Sequence, residues 1–275
     1  MQVRRGQKNR RFFCCRQSRR CGCTATTAIP ARTIGGSLRS NFSLPSALCL
    51  FMSNSSIIDT STPCLISPHL PSQQFSQGTP LKLGVLASGS GSNFEAIANA
   101  IQNGQLNAQI QVLIYNQPQA YAAVRAANWN VPSVLLNHRD YNSREDLDRQ
   151  IVQTLRQYNV EFVVMAGWMR LVTQVLIDAF PHRIINIHPS LLPSFKGVRA
   201  VEQALAAGVK ITGCTVHLVS LEMDSGPILI QAAVPIMPDD TPEKLHARIQ
   251  LQEHQILPQA IALTAQKLQA LNTTS

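Results

Sequence analysis

The first 51 residues contain no aspartate or glutamate, yet they hold ten arginines and lysines. A stretch with only one sign of charge does not read as the surface of a folded domain, and it accounts for the whole formal charge of +9. Residues 52–275 carry the other 14 Lys or Arg against all 15 acids, a net of −1, so basicity argues no nucleic-acid partner for the folded part. Long apolar runs are missing too. Nothing approaches the ~20 residues of a membrane span, which excludes a membrane helix. The short apolar run from Leu44 to Met52 is like a secretory signal core but lies too far from the amino terminus to serve as one. Cysteine is almost absent beyond residue 64: Cys214 stands alone, which excludes a disulfide framework and suits a reducing compartment. Cys14, Cys15, Cys21 and Cys23 cluster, but no histidine or second cysteine pair follows at ligand spacing, so no metal is expected.

An acid-free, Arg- and Ser-rich start has the composition of an organelle transit peptide, and a translation start at Met52 explains it equally well. Residues 1–80, which show no sustained period, are read as a disordered leader and linker, and residues 81–275 as one catalytic domain. The chain is 45% hydrophobic, enough for a sizeable core. From Leu81 short apolar runs alternate with amphipathic ones, which predicts an α/β fold with a mostly parallel sheet and helices on both faces. Strands are expected at Leu81–Ala87, Gln109–Tyr115, Ser133–Leu136, Phe162–Ala166 and Ile184–His188. Helices are expected through Phe94 and Ile97, over Tyr121–Ala127, from Asn142 or Ser143 through Leu155, through Val201 and Leu205, and from Thr241-Pro242 onward. Cys214–Ser220 and Ile228–Val234 read as strands with no long helix between them, so the sheet is expected to become mixed at its carboxyl-terminal end.

Three stretches carry candidate chemistry. Ile184-Ile185-Asn186-Ile187-His188 reads as a buried strand running into Pro189. Side chains alternate along a strand, so Asn186 and His188 share a face at its carboxyl end, where open α/β sheets bind their ligands. Read alone, the pair is more readily a satisfied core histidine and a turn former. Ser88-Gly89-Ser90-Gly91-Ser92-Asn93 joins a strand to a helix, where free N–H groups and the helix dipole make an anion site. Phe94 stands where a dinucleotide fingerprint needs its third glycine, and no acid follows the second strand, so a single phosphate on Gly91, Ser92 and Asn93 suits the turn better than NAD. Thr215, His217 and Val219 share one strand face, ahead of the loop Leu221-Glu222-Met223-Asp224-Ser225-Gly226-Pro227. With Asn186 and His188, Asp224 completes an amide, imidazole and carboxylate set. The carboxylate would stabilise an imidazolium that donates a proton, and the amide would support an oxyanion. Ser190 lacks the glycine-flanked elbow of an activated nucleophile, which favours direct transfer between two bound substrates.

The strings GSGSN (89–93), AGWMRLV (166–172), NIHPSLLPSFKG (186–197), TGCTVHLVS with MDSGPI (212–228) and QLQEH (250–254) resemble the folate-dependent phosphoribosylglycinamide formyltransferase family of de novo purine synthesis over about residues 81–265. The resemblance implies a Rossmann-like, three-layer formyltransferase fold. It also implies transfer of a formyl group from 10-formyltetrahydrofolate to the amine of glycinamide ribonucleotide through a tetrahedral intermediate. His188 would be the general acid, Asn186 the oxyanion donor, and Asp224 the group that tunes His188 and relays protons. The phosphate-bearing substrate would sit on Gly91, Ser92 and Asn93, with Gln250 and Glu253 on the same substrate. Folate would lie along Met169, Arg170, Leu171 and Val172 and the loop Ser220, Leu221, Glu222, Met223 and Asp224, with Arg144 reaching its acidic tail. The family also implies a cis bond before Pro193 and no metal.

Two rivals remain at this point. Formyltetrahydrofolate deformylase, a hydrolase, shares the Asn, His and Asp set but lacks the GSGSN turn. A basic nucleic-acid-binding protein would owe its binding to the leader alone. The reading favours small-molecule substrates, no nucleic acid, no membrane, a monomer or homodimer, and a cytoplasmic enzyme, with a plastid or mitochondrial address if residues 1–80 are a transit peptide.

Overall fold

The computed structural model describes residues 64–68 and 79–273, with side chains followed to Lys267, and all of these lie within one compact unit, Ser56–Ser275. The chain runs β1 (Leu65–Ser67), β2 (Leu81–Ala87), α1 (Ser92–Gln102), β3 (Ala108–Tyr115), α2 (Ala122–Asn128), β4 (Ser133–Leu135), α3 (Arg144–Gln157), β5 (Phe162–Met165), α4 (Gln174–Ala179), β6 (Ile184–His188), α5 (Ala200–Ala206), β7 (Ile211–Leu218), β8 (Ile228–Pro235) and α6 (Pro242–Thr273). The eight strands form one sheet in the order β1-β8-β7-β6-β5-β2-β3-β4. Strands β4, β3, β2, β5 and β6 are parallel, and β7, β8 and β1 continue the sheet antiparallel. The sheet is therefore mostly parallel and mixed at its carboxyl-terminal strands, as the tight spacing of the last two sequence-read strands requires.

Alternation along the central strands divides the core into two layers. Leu83, Val85, Phe162, Val164, Ile185 and Ile187 pack with Phe94 and Ile97 of α1, Val201 of α5, and Leu245, Ile249 and Ile256 of α6. Leu86, Val163 and Ile184 pack on the other face with Leu147, Ile151 and Leu155 of α3 and Leu176 of α4. This is the three-layer arrangement expected of a parallel sheet buried on both sides. Burying each of these large side chains stabilises the fold by roughly 1.5–3 kcal/mol, so truncating one in either layer weakens both the helix and the strand it joins. Helix α3 starts where its cap demands: the Ser143 hydroxyl accepts the Asp146 N–H at 3.0 Å. No helix among the described residues is long and apolar enough to cross a membrane.

The structure departs from the sequence reading in three places. Strand β1 lies in the stretch read as linker and pairs with β8; the rest of that stretch, with the Cys14–Cys23 cluster, lies outside the described residues apart from Cys64, Pro68, Thr79 and Pro80. Helix α4 has only six residues, too few for a helical period to stand out from an apolar run. Strand β7 begins at Ile211 rather than Cys214, because Thr212-Gly213 is not a turn. A Cβ at 213 would collide with the Ala232 carbonyl, so glycine there allows the close approach of β7 and β8.

Candidate active site

The strand order reverses between β2 and β5, and a cavity of about 650 Å³ opens at their carboxyl ends and that of β6. It is lined by the turn Ser88–Asn93 after β2, by Met165–Val172 at the end of β5, by Asn186–Pro189 at the end of β6, and by residues of the β7–β8 loop and α6. Sequence spacing had implicated segments from each of these regions.

Asn186 and His188 do share a face. Their neighbours across the antiparallel β6–β7 pair are His217 and Thr215. The surroundings of His188 distinguish its two nitrogens. Nε2 lies 2.9 Å from the Phe195 carbonyl, which can only accept, so Nε2 carries a hydrogen. Nδ1 is left facing the Asp224 carboxylate at 3.5 Å, and only the imidazolium bears a hydrogen there. Phe195 holds its carbonyl in place with φ 54, a left-handed conformation costly for a bulky residue and of the kind stored at functional sites. Asp224, at φ 49, also sits in that region, which aspartate tolerates better.

Asp224 is fixed from three sides. Its Oδ2 accepts the Gly197 N–H at 2.8 Å and faces His188, and its Oδ1 stands 3.7 Å from His217 Nε2. Burial pushes the carboxyl up, but the His217 ring in its protonated form, the Gly197 N–H and the His188 ring outweigh it and hold the group below the usual carboxylate range. His217 was read from the sequence only as a face residue, yet it belongs to this site. Its Nδ1 donates to the Leu218 carbonyl at 2.9 Å, so in the neutral ring Nε2 carries the lone pair and accepts from Asn186 Nδ2 at 3.2 Å. That bond turns the Asn186 amide so that one N–H is held by His217 and the second remains for a ligand. Ser190 is excluded as a nucleophile: it is fully buried and its hydroxyl donates to the Ser194 carbonyl. Thr215 ties the turn after β6 by donating to the Ser190 carbonyl and accepting the Leu192 N–H. The peptide bond before Pro193 is cis.

The second half of the site is the glycine turn read from the sequence as a candidate anion site. Gly91 caps α1 at φ 74 with no side-chain capping bond, which leaves first-turn N–H groups free to meet a ligand. A Cβ at Gly91 would stand 2.7 Å from the Cα of Ala122, so α2 packs directly against the turn. Helix α6 closes it from the other side. Gln250 donates to the Ser92 hydroxyl at 2.8 Å, and Glu253, 5% exposed, accepts from Asn93 Nδ2 at 2.9 Å. The i, i+3 pair on α6 is thus no solvated face. Burial pushes the Glu253 carboxyl up, and the Asn93 amide offsets only part of this. The buried Asn93 Oδ1 and Arg170 Nε have no hydrogen-bond partner among the described residues.

Met169, Arg170, Leu171, Val172, Ser220, Leu221, Met223 and Asp224 line the cavity as expected. Arg144 and Glu222 do not. Arg144 is exposed at the start of α3, and the exposed Glu222 lies 3.6 Å from Lys196. The lining also includes Trp168, which stood in the AGWMRLV string without a role, and Arg199 and His246, which no sequence signal had marked. Among the described residues no group of three or more His, Cys, Asp or Glu is placed to hold a metal ion.

Residues 81–261 match the formyl transferase family. The chain is 42% identical over 180 residues to the phosphoribosylglycinamide formyltransferase of Bacillus subtilis strain 168, covering 66% of this chain and 92% of that one. It is 39% identical over 184 residues to the human trifunctional purine biosynthetic protein adenosine-3, covering 67% of this chain but 18% of that one. Among solved structures, glycinamide ribonucleotide transformylase 1 from Symbiobacterium toebii is similar with a TM-score of 0.68 at 44% identity, covering 70% of this chain and 90% of that one. The phosphoribosylglycinamide formyltransferase from Bacillus halodurans gives a TM-score of 0.64 at 43% identity, covering 66% and 93%.

Proposed function

Because the chain belongs to the formyl transferase family and is an enzyme of the phosphoribosylglycinamide formyltransferase kind in purine biosynthesis, we propose that it moves the formyl group of 10-formyltetrahydrofolate to the amine of 5-phosphoribosylglycinamide by direct attack. The observation that carries this reading is the asymmetry of His188: Nε2 is committed to the Phe195 carbonyl, and Nδ1 is the working atom beside Asp224.

The residues fit both substrates. Met169, Leu171, Val172, Leu221 and Met223 give the cavity an apolar wall for a ring system, beside the polar end at Asn186 and His188. Arg144, outside the cavity, is assigned to the acidic tail of the donor, and Glu222 to the outer edge of the same loop. Gly91, Ser92 and Asn93 take the phosphate, and Gln250 and Glu253 hold the rest of that substrate. The donor supplies the formyl group. As the amine nitrogen bonds to the formyl carbon, the carbonyl electron pair moves onto oxygen. Asn186 meets that oxyanion with its free amide N–H, and His188 with its Nδ1–H, so charge develops against donors that are already oriented. Asp224 stabilises the imidazolium through this step. When the tetrahedral carbon collapses, the donor nitrogen leaves with the bonding pair and receives a proton, and the amine gives one up, with His188 and Asp224 as the relay. No metal has a role in this route.

The test uses the full chain with both substrates. Formylated amine and tetrahydrofolate should appear in equal amounts, and only when the phosphorylated amine is present. Formate release from the donor alone would instead make the protein a hydrolase. A second expectation concerns the anion turn. Gly91→Ala forces a left-handed residue against Ala122 and should raise KM for the phosphorylated substrate about tenfold while KM for the donor is unchanged. Equal changes in both constants would show that the turn is not a phosphate site.

A further inference from the structure

Asp148 lies on α3, only 2% exposed, and takes no part in the chemistry above. Both of its hydrogen bonds go to one residue: Oδ2 accepts the Thr173 backbone N–H at 2.6 Å and the Thr173 hydroxyl at 2.8 Å. Thr173 is the N-cap of α4, but its own side chain makes no capping bond, so a carboxylate from a different helix closes this end. The segment before it, Met169–Val172, is the apolar wall of the cavity and has no helix or strand bonds of its own. Its other end is tied by the Met169 N–H to the Ser88 hydroxyl at 2.9 Å, next to the anion turn. The wall is thus a short irregular span tied by hydrogen bonds at two points, one in the turn after β2 and one at α3. Met169 is 72% exposed and Leu171 50%, and Val172 alone of the apolar residues in the span is buried, in the layer of α3 and α4, so the middle of the span has little packing of its own to hold its shape. A buried carboxylate is costly unless it is well bonded. Burial pushes the Asp148 carboxyl up, and the two bonds from Thr173 draw it back.

We propose that Asp148 is a positioning residue for the formyl donor: by fixing Thr173 it sets the Met169–Val172 wall in the conformation that receives the donor's ring system. This rests on the reading that the wall, rather than another part of the cavity, binds the donor. A cap that served stability alone would affect both substrates in proportion to the folded fraction. A positioning role affects one substrate and leaves turnover nearly intact.

The experiment measures tetrahydrofolate binding by titration calorimetry, alongside both KM values and kcat, on the full chain. Asp148→Ala should weaken tetrahydrofolate about tenfold, with KM for the phosphorylated amine and kcat changed less than about threefold. Asp148→Asn, which keeps an uncharged acceptor, should recover most of the loss. Should Asp148→Ala fail to fold, Thr173→Val keeps the carboxylate and the backbone bond and should weaken tetrahydrofolate about threefold, while Thr173→Ser should bind as the parent does. Unchanged tetrahydrofolate affinity in the folded variants overturns the proposal, as does parallel loss of both substrates. Leu171→Asp separates the two layers of the argument. If it weakens tetrahydrofolate while the Asp148 and Thr173 variants do not, the wall binds the donor and Asp148 does not position it. If it too has no effect, the wall is not the donor site.

Discussion

His188→Ala should lower kcat by about 10³, within the 10²–10⁴ range associated with a positioned proton donor, and leave KM for the phosphorylated amine near its parent value. The asymmetry follows from the architecture. The anion turn hangs on β2, α1 and α6, whereas His188 ends β6, so removing the imidazole leaves every bond of the turn in place. The loss should be chemical rather than conformational, because the fully buried neighbours Ile185 and Val216 still hold β6 in the sheet and the Phe195 carbonyl, on a half-buried residue, can turn to water. Steady-state kinetics with a thermal melt beside them decide it. A variant that keeps kcat within about threefold while folded would leave Nδ1 without a task.

Asp224→Asn should cost about 10² in kcat and little in either KM. Asparagine keeps an acceptor for the Gly197 N–H, so the loop stays tied, and what disappears is the charge 3.5 Å from His188 Nδ1. At an effective dielectric near 20, unit charges about 4 Å apart interact by about 4 kcal/mol. Water at the cavity mouth and the Asn dipole recover some of that, and a loss of about 2.7 kcal/mol in the transition state corresponds to about 10² in rate. Since the carboxyl is held below the usual range, it remains ionised wherever imidazoles titrate, and Asp224 should add no limb to the pH–rate profile above about pH 4; a limb there belongs to Glu253, whose carboxyl burial pushes up, and should persist in Asp224→Asn. A limb that disappears in Asp224→Asn, or an unaltered kcat in that variant, would remove Asp224 from the mechanism.

Much of the site was legible because local rules suffice for it. Asn186 and His188 needed only the two-residue period of a strand and a proline to end it. Gly91, Ser92 and Asn93 needed only a glycine turn between an apolar run and a helical one. His217 stood in view on a strand face without a role, because its role depends on the antiparallel register that sets it opposite Asn186, a pairing across 31 residues that no local pattern encodes. The same holds for Asp148: an acid in the middle of a helix reads as solvated until the fold buries it against Thr173. Arg144 and Glu222 show the converse. Glu222 sits within a site loop and Arg144 was placed by the resemblance alone, yet the fold leaves both outside the cavity lining.

By itself the sequence determined the alternation of strands and helices, the mixed end of the sheet, and the candidate amide, imidazole and carboxylate set with the glycine turn beside it. Short-range periodicity and turn chemistry carry that information residue by residue. Only the tertiary structure decided which nitrogen of His188 faces Asp224, how Asn186 is turned, and what ties the apolar wall. These depend on Phe195, His217 and Asp148, whose roles arise from distances between segments far apart in the chain, and those distances are set by packing on the two faces of the sheet.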